Sequence, residues 1–224
     1  MKIDWRPYDP FEVASNPTLL GSSLFSFDDY LSITVKFLET EKRKYEQRVS
    51  ELETENTSDD EPFELQIAQF ELQGFSAFEN TIFSSFFIML YSYLETELTQ
   101  YCLDIEKNAP KEKSWSDISE RKNTLERVKE YLTKVQNLNF PSKSPEWEKI
   151  RNFTNLRNCI VHNQGRINSL REGQQKEKLI KFIQSKNSKI KLEFETCIIG
   201  QDFCIDALKK IKKFLSLVAE SKIV

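Results

Sequence analysis

From Tyr30 onward, apolar side chains recur at helical steps: Tyr30, Leu31, Leu38, Tyr45, Val49 and Leu52 fall on one side of an α-helix. Ser26 followed by Asp28 and Asp29 resembles a capping box, so the pattern predicts a long, partly exposed helix over residues 26–55. After Leu52 the periodicity is lost in an acidic stretch. Residues 56–61 therefore read as a loop, and Pro62 is placed to open the next helix. That next run, residues 63–107, is one long helix or two joined near Gly74. Its middle carries Phe78, Ile82, Phe83, Phe86, Phe87, Met89, Leu90, Tyr93 and Leu94, apolar nearly all round, and belongs at the centre of the core. A third helix is predicted over 119–137, with Leu125, Val128 and Leu132 on one face, and Pro141 and Pro145 end the connection after it. A fourth, over 146–163, stops at Gly165, a residue suited to a left-handed cap, and a further amphipathic stretch covers 171–186.

A period of two appears once. Ile190, Leu192 and Phe194 alternate with Lys191, Glu193 and Glu195, and Cys197 to Ile199 can pair back, which predicts a β-hairpin over 189–199. Asp202 then caps a last helix over 202–219 through Ala207, Leu208, Ile211, Phe214, Leu215 and Val218. Ahead of all this, Pro7, Pro10 and Pro17 forbid a long helix, so residues 1–22 read as an irregular arm packing through Trp5 and Tyr8. The expected fold is mostly all-α: the arm, then one helical domain over 23–224 with a small hairpin before the C-terminal helix.

Composition agrees. Only 5 of 224 residues are glycine, too few for the turns of an all-β fold. The apolar run over 82–94 is broken by serines and is short of the roughly 20 residues a bilayer crossing needs. No apolar stretch follows Met1-Lys2, so no secretory signal is expected and the cytoplasm is the expected compartment. Four cysteines without CxxC spacing and a single histidine make a poor zinc set, so no metal or cofactor is expected and the thiols read as reduced and mostly buried.

The net charge of −3 argues against a protein that coats nucleic acid, but the charge is uneven. Residues 143–189 hold 11 Lys or Arg against 4 Asp or Glu, and they hold His162. A solvated helix face is the plain reading of such a run. Within the fourth helix Phe153, Leu156 and Ile160 form an apolar stripe, while Arg151, Asn155, Asn158 and His162 share roughly the opposite face. Arg157 lies about 140° round an ideal helix from His162, so the two converge only if the guanidinium swings or the helix frays near Gly165.

The segment from Leu156 to Ile167 resembles the motif region of the HEPN superfamily, R-x4-6-H with a polar residue after the arginine, and Arg157, Asn158 and His162 match it position for position. Phe87 to Glu95 is similar to that superfamily's central helix, and the late hairpin with its last helix to several of its bacterial branches. The resemblance covers roughly residues 75–220 and implies a helical bundle that dimerises, bringing two motifs together in a cleft, and in many members metal-independent cleavage of RNA by toxins or phage-defence effectors. It implies Arg157, His162 and Asn158 as catalytic, Arg151, Asn163 and Arg166 as contacts to RNA, Glu95 as a candidate supporting acid, and an antitoxin or defence partner.

The residue types suit that chemistry. An imidazole exchanges a proton near neutral pH, and a guanidinium fork suits the charge that builds on a phosphate under attack. The alternatives are a catalytically silent module of the same fold that binds RNA, a nucleotide or a partner protein, and a helical interaction protein using 26–55 as a coiled coil. For His162 the plain alternative is a cationic side chain satisfying a helix C-terminus.

Overall fold

The computed structural model describes residues 20–55 and 62–221; the expected arm through Trp5 and Tyr8, and the acidic loop over 56–61, lie outside them. A 3₁₀ turn, Ser22–Leu24, leads into α1 (Phe25–Glu55), followed by α2 (Phe63–Asn108), α3 (Thr124–Glu130), α4 (Pro145–Asn163), α5 (Gln174–Gln184), the hairpin strands β1 (Lys191–Glu193) and β2 (Thr196–Ile198), and α6 (Gln201–Ala219). The protein is thus mostly helical, with one antiparallel hairpin before the C-terminal helix.

Several boundaries differ from the sequence pattern, each for a local reason. Because the 3₁₀ turn precedes α1, Ser26 sits inside the first turn and not at the cap. Pro62 does open α2, its carbonyl accepting the amides of Leu65 and Gln66, and α2 then runs unbroken through Gly74. The third helix starts five residues later than expected, because Asn123 is the cap, its Oδ1 accepting the Glu126 amide at 3.0 Å. It widens into a π turn over Tyr131–Val135, closed by the Gln136 amide on the Tyr131 carbonyl, and stops where Asn137 turns left-handed at φ 56°. Asp202 lies in the first turn of α6, one residue inside its start.

The chain forms two compact units, and α2, α4 and α6 contribute residues to both. The first comprises Leu90–Phe153 with the described parts of Met1–Leu24 and Lys209–Val224. Its core is aromatic. Phe140 meets Trp147 edge-on at 5.0 Å, Trp147 stacks on Phe214 at 5.7 Å, and Tyr131 meets Trp115 edge-on, with the Arg127 guanidinium 4.6 Å from the centre of the Trp115 ring. Ile211, Phe214, Leu215 and Val218 of α6 are all buried there, each apolar side chain contributing about 1.5–3 kcal/mol. Buried Glu146, in the first turn of α4, accepts from Lys213 Nζ at 2.7 Å, and that bond holds its carboxyl below the usual range.

The second unit comprises Thr154–Leu208 with the described residues of Phe25–Met89. Here α1 lies along the first half of α2 through Tyr30 on Phe86, Phe27 on Phe86 and Tyr45 on Phe75, with ion pairs Lys42–Glu79 and Arg48–Glu71 at the rim. Phe203 packs edge-on to Phe87 at 5.1 Å, and the Cys204 thiol donates to the Phe83 carbonyl. The aromatic run of α2 is not uniformly core: Phe83, Phe86 and Phe87 are buried, whereas Phe78 and Met89 are each 44% exposed. In the hairpin Ile190, Cys197 and Ile199 turn inward; Leu192 is half-exposed and Phe194 fully so. The strands are joined by Phe194 and Glu195, both at positive φ, the backbone of a tight two-residue turn that ordinarily takes asparagine and glycine. No helix among the described residues is long and apolar enough to cross a membrane.

Two glycines carry expectations of opposite sign. A Cβ added at Gly74 meets nothing within 4 Å, so Gly74→Ala raises stability by about 0.5–1 kcal/mol through helix propensity. Gly165 sits at φ +77°, so Gly165→Ala lowers it by about 1–2 kcal/mol although its neighbours at 3.5 Å leave room. Urea melts of the two variants check both. Glu146 sets a pH dependence: its depressed folded pKa stabilises the fold above the unfolded carboxylate value, about 4.3, and the benefit is lost as pH falls through the folded value. Glu146→Gln should cost about 1 kcal/mol at neutral pH, a gap that closes as melts are repeated below about pH 4.

Candidate functional site

The motif lies at the C-terminal end of α4, in the second unit. Ile150, Phe153, Leu156 and Cys159 are fully buried, so the inward stripe steps to Cys159 rather than to Ile160, which is half-buried. A stripe through 150, 153, 156 and 159 fixes the rotation of α4, and with it which side chains face outward. Asn158 and His162, one turn apart, are exposed on the same side. His162 makes no hydrogen bond or ion pair among the described residues; it lies in the last turn of α4, where a cationic side chain suits the helix C-terminus.

Arg157 is half-buried. Its Nη1 donates to Asn158 Oδ1 at 3.1 Å, while its Nε is buried and has no hydrogen-bond partner among the described residues. A buried guanidinium N–H without an acceptor is costly, and an anion is the chemical group that best satisfies it. The helix stays regular to Asn163, without the fraying that would carry Arg157 toward His162, so the two side chains project about 140° apart within one chain. No hydrogen bond joins them.

The turn after His162 is tightly specified. Gln164 and Gly165 turn left-handed at φ 53° and 77°; the Gly165 amide reaches back to the Cys159 carbonyl at 3.1 Å, and its own carbonyl accepts the Cys197 amide of β2 at 2.9 Å. Arg166 bridges to Thr196, and the Ile167 amide donates to the Glu195 carbonyl. The hairpin is thus pinned to the end of the motif helix. At the Cys159–Cys197 contact the two buried thiols share a hydrogen bond, which holds Cys159 below and pushes Cys197 above the usual thiol range. This pairing was not legible in the sequence, because the two cysteines are far apart along the chain and show no motif spacing.

The other expected site residues divide. Asn163 and Arg166 stay beside the motif, Asn163 half-buried and Arg166 exposed. Arg151 belongs to the first unit, where its Nε lies 3.6 Å from Glu126 Oε1, a plain surface ion pair. Glu95, half-buried on α2, is also in the first unit. The positive stretch is realised on the second unit: Arg166, Arg171, Lys178, Lys181, Lys186 and Lys189 are all exposed. No group of three or more His, Cys, Asp or Glu placed to hold a metal occurs among the described residues. All four cysteines are free and buried. Compared with family models, with curated proteins and with solved structures, the chain finds no match.

Proposed function

We propose that the protein is a metal-independent endoribonuclease of HEPN type, acting in the cytoplasm as a homodimeric toxin or defence effector held in check or switched on by a partner protein. The observation that carries this reading is the pair formed by an exposed histidine with no hydrogen bond or ion pair among the described residues and, on the same helix, a half-buried arginine whose Nε lacks an acceptor there. Since Arg157 and His162 project apart on a regular helix, the reacting pair is made between copies: Arg157 of one chain with His162 of the other across a two-fold axis. His162 takes the proton of a ribose 2′-hydroxyl or supplies one to the leaving 5′-oxygen. As the new P–O2′ bond forms, the P–O5′ bond breaks and a cyclic phosphate is left on one fragment. Arg157 and Asn158 hold the phosphate oxygens through the gain in charge, and Asn163, Arg166 and the exposed lysines of the second unit bind the flanking backbone.

The test is cleavage of total RNA by purified protein, with EDTA present, melting temperatures recorded and dimer formation checked by light scattering. His162→Ala should lower cleavage by roughly 10² to 10⁴ while stability changes by less than about 1 kcal/mol. Arg157→Ala should follow it, and Arg157→Lys should fail to rescue because a point charge does not reproduce fork contacts to phosphate. Wild type inactive both alone and with the product of its neighbouring gene, or His162→Ala as active as wild type, would reject the enzyme and favour a silent RNA- or protein-binding module.

A further inference from the structure

We propose that the exposed apolar face of α1 and α2 around Gly74 is where a second copy of the chain docks, with α2 antiparallel to the partner's α2 and a two-fold axis at Gly74. Phe63, Ile67, Phe70, Gly74 and Phe78 recur at helical steps and form one stripe on the outside of α2. Phe63 and Phe70 are each 74% exposed; Phe37 of α1, 52% exposed, lines with Phe78, Tyr45 and Phe75 a groove of about 410 Å³. Taking about 200 Å² for a fully exposed side chain of this size, Phe37 and the large residues of the stripe present roughly 550 Å² per chain. The largest apolar patch of an ordinary monomer is about 300–600 Å², and a stable homodimer takes about 800 Å² from each partner, roughly two-thirds of it apolar. The face is large enough to hold a second copy.

Charge and shape select the partner. The acidic residues beside the groove are matched within the chain, Glu41 by Lys44, Glu71 by Arg48 and Glu79 by Lys42, so the face does not call for a partner of opposite charge. Its shape is self-complementary. Phe70 and Phe78 lie one turn to either side of Gly74, where a Cβ would meet nothing within 4 Å, so the middle of the stripe is a gap between two projections. When two such helices lie antiparallel about an axis at Gly74, Phe70 of each copy comes beside the partner's Phe78 and enters the groove there, and every contact is made twice. This contact supplies the second copy that the reading above requires, and rests on that reading only in the use made of the dimer; the contact itself stands on α1 and α2. The Ile199 amide donates to Asn80 Oδ1 at 2.8 Å and the hairpin is bonded to Gly165, so the motif end of α4 is fastened to α2 about 9 Å along the helix from Gly74.

The full chain is run by size exclusion with light scattering, as wild type, Phe70→Glu and Gly74→Glu. Wild type should be a dimer at micromolar concentration. A carboxylate at either position is exposed in the single chain and buried in the dimer, so both variants should be monomers with unchanged helical circular dichroism. Cysteine substitution reads the register. At the usual 8–10 Å between packed helices, residues on the axis have Cα atoms roughly 4–5 Å apart, within disulfide range, whereas the two copies of Phe63 lie about 33 Å apart. Gly74→Cys should therefore give a covalent dimer under mild oxidation and Phe63→Cys should not, the four native cysteines being buried. A monomeric wild type, its face covered by another protein or by another part of the chain, would overturn the proposal. So would Glu variants that stay dimeric, or linkage of Phe63→Cys as ready as that of Gly74→Cys. RNA cleavage by the same samples separates the two readings: a dimer of this register without cleavage keeps the contact and rejects the nuclease, while cleavage by Glu variants that stay dimeric keeps the nuclease and rejects the contact.

Discussion

The end of α4 depends on a single turn. Gly165 supplies the left-handed conformation that stops the helix directly after the motif, and its two backbone groups are spent in opposite directions, one on the helix carbonyl of Cys159 and one on the strand amide of Cys197. Without that turn the hairpin would lose its bonds to the end of α4, keeping the Ile199 amide on Asn80 Oδ1, and the last turn of α4 would have no defined end. Helix ends fray unless their orphan carbonyls find partners. Here the partners come from the same residue that binds β2, so the placing of His162 and the placing of the hairpin are one event.

A second constraint sets the orientation of the helix. The buried stripe through Ile150, Phe153, Leu156 and Cys159 steps by three residues rather than by alternating three and four, which leaves Asn158 and His162 outward and Arg157 on the edge of the core. An arginine there keeps its stem in apolar surroundings and its head near solvent, and the buried Nε is the unsettled part of that compromise. Nearer the start of the helix, Arg151 pairs with Glu126, and the buried carboxylate of Glu146 is matched by Lys213.

Much of the fold was legible in the pattern of apolar residues, because periodicity is set by burial and burial is what holds α1, α2 and α6. Pro62 and Gly165 were legible for a different reason, each allowing only one kind of backbone. What the sequence hid was decided by single hydrogen bonds or by tertiary contacts. Nothing in the pattern distinguishes Asn123 as a cap from Ser119, or foretells the π turn at Tyr131. The alternation of Ile190, Leu192 and Phe194 is real, but a three-residue strand buries too little to keep Leu192 and Phe194 from solvent. In the candidate site Arg157, Asn158 and His162 were singled out by the resemblance of their segment to a family motif, whereas the ion pair of Arg151 with Glu126 depends on an element distant in the chain.

A regular helix keeps Arg157 and His162 apart within one chain, so the proposed site has to be completed by a second copy. Mixing tests this most directly. His162→Ala and Arg157→Ala chains, each inactive alone, are unfolded together, refolded at equal concentration and assayed on RNA. In a mixed dimer one of the two sites joins an intact Arg157 to an intact His162, so roughly a quarter of wild-type activity should return when chains pair at random. Mixed dimers that form and stay as inactive as either parent would contradict the account.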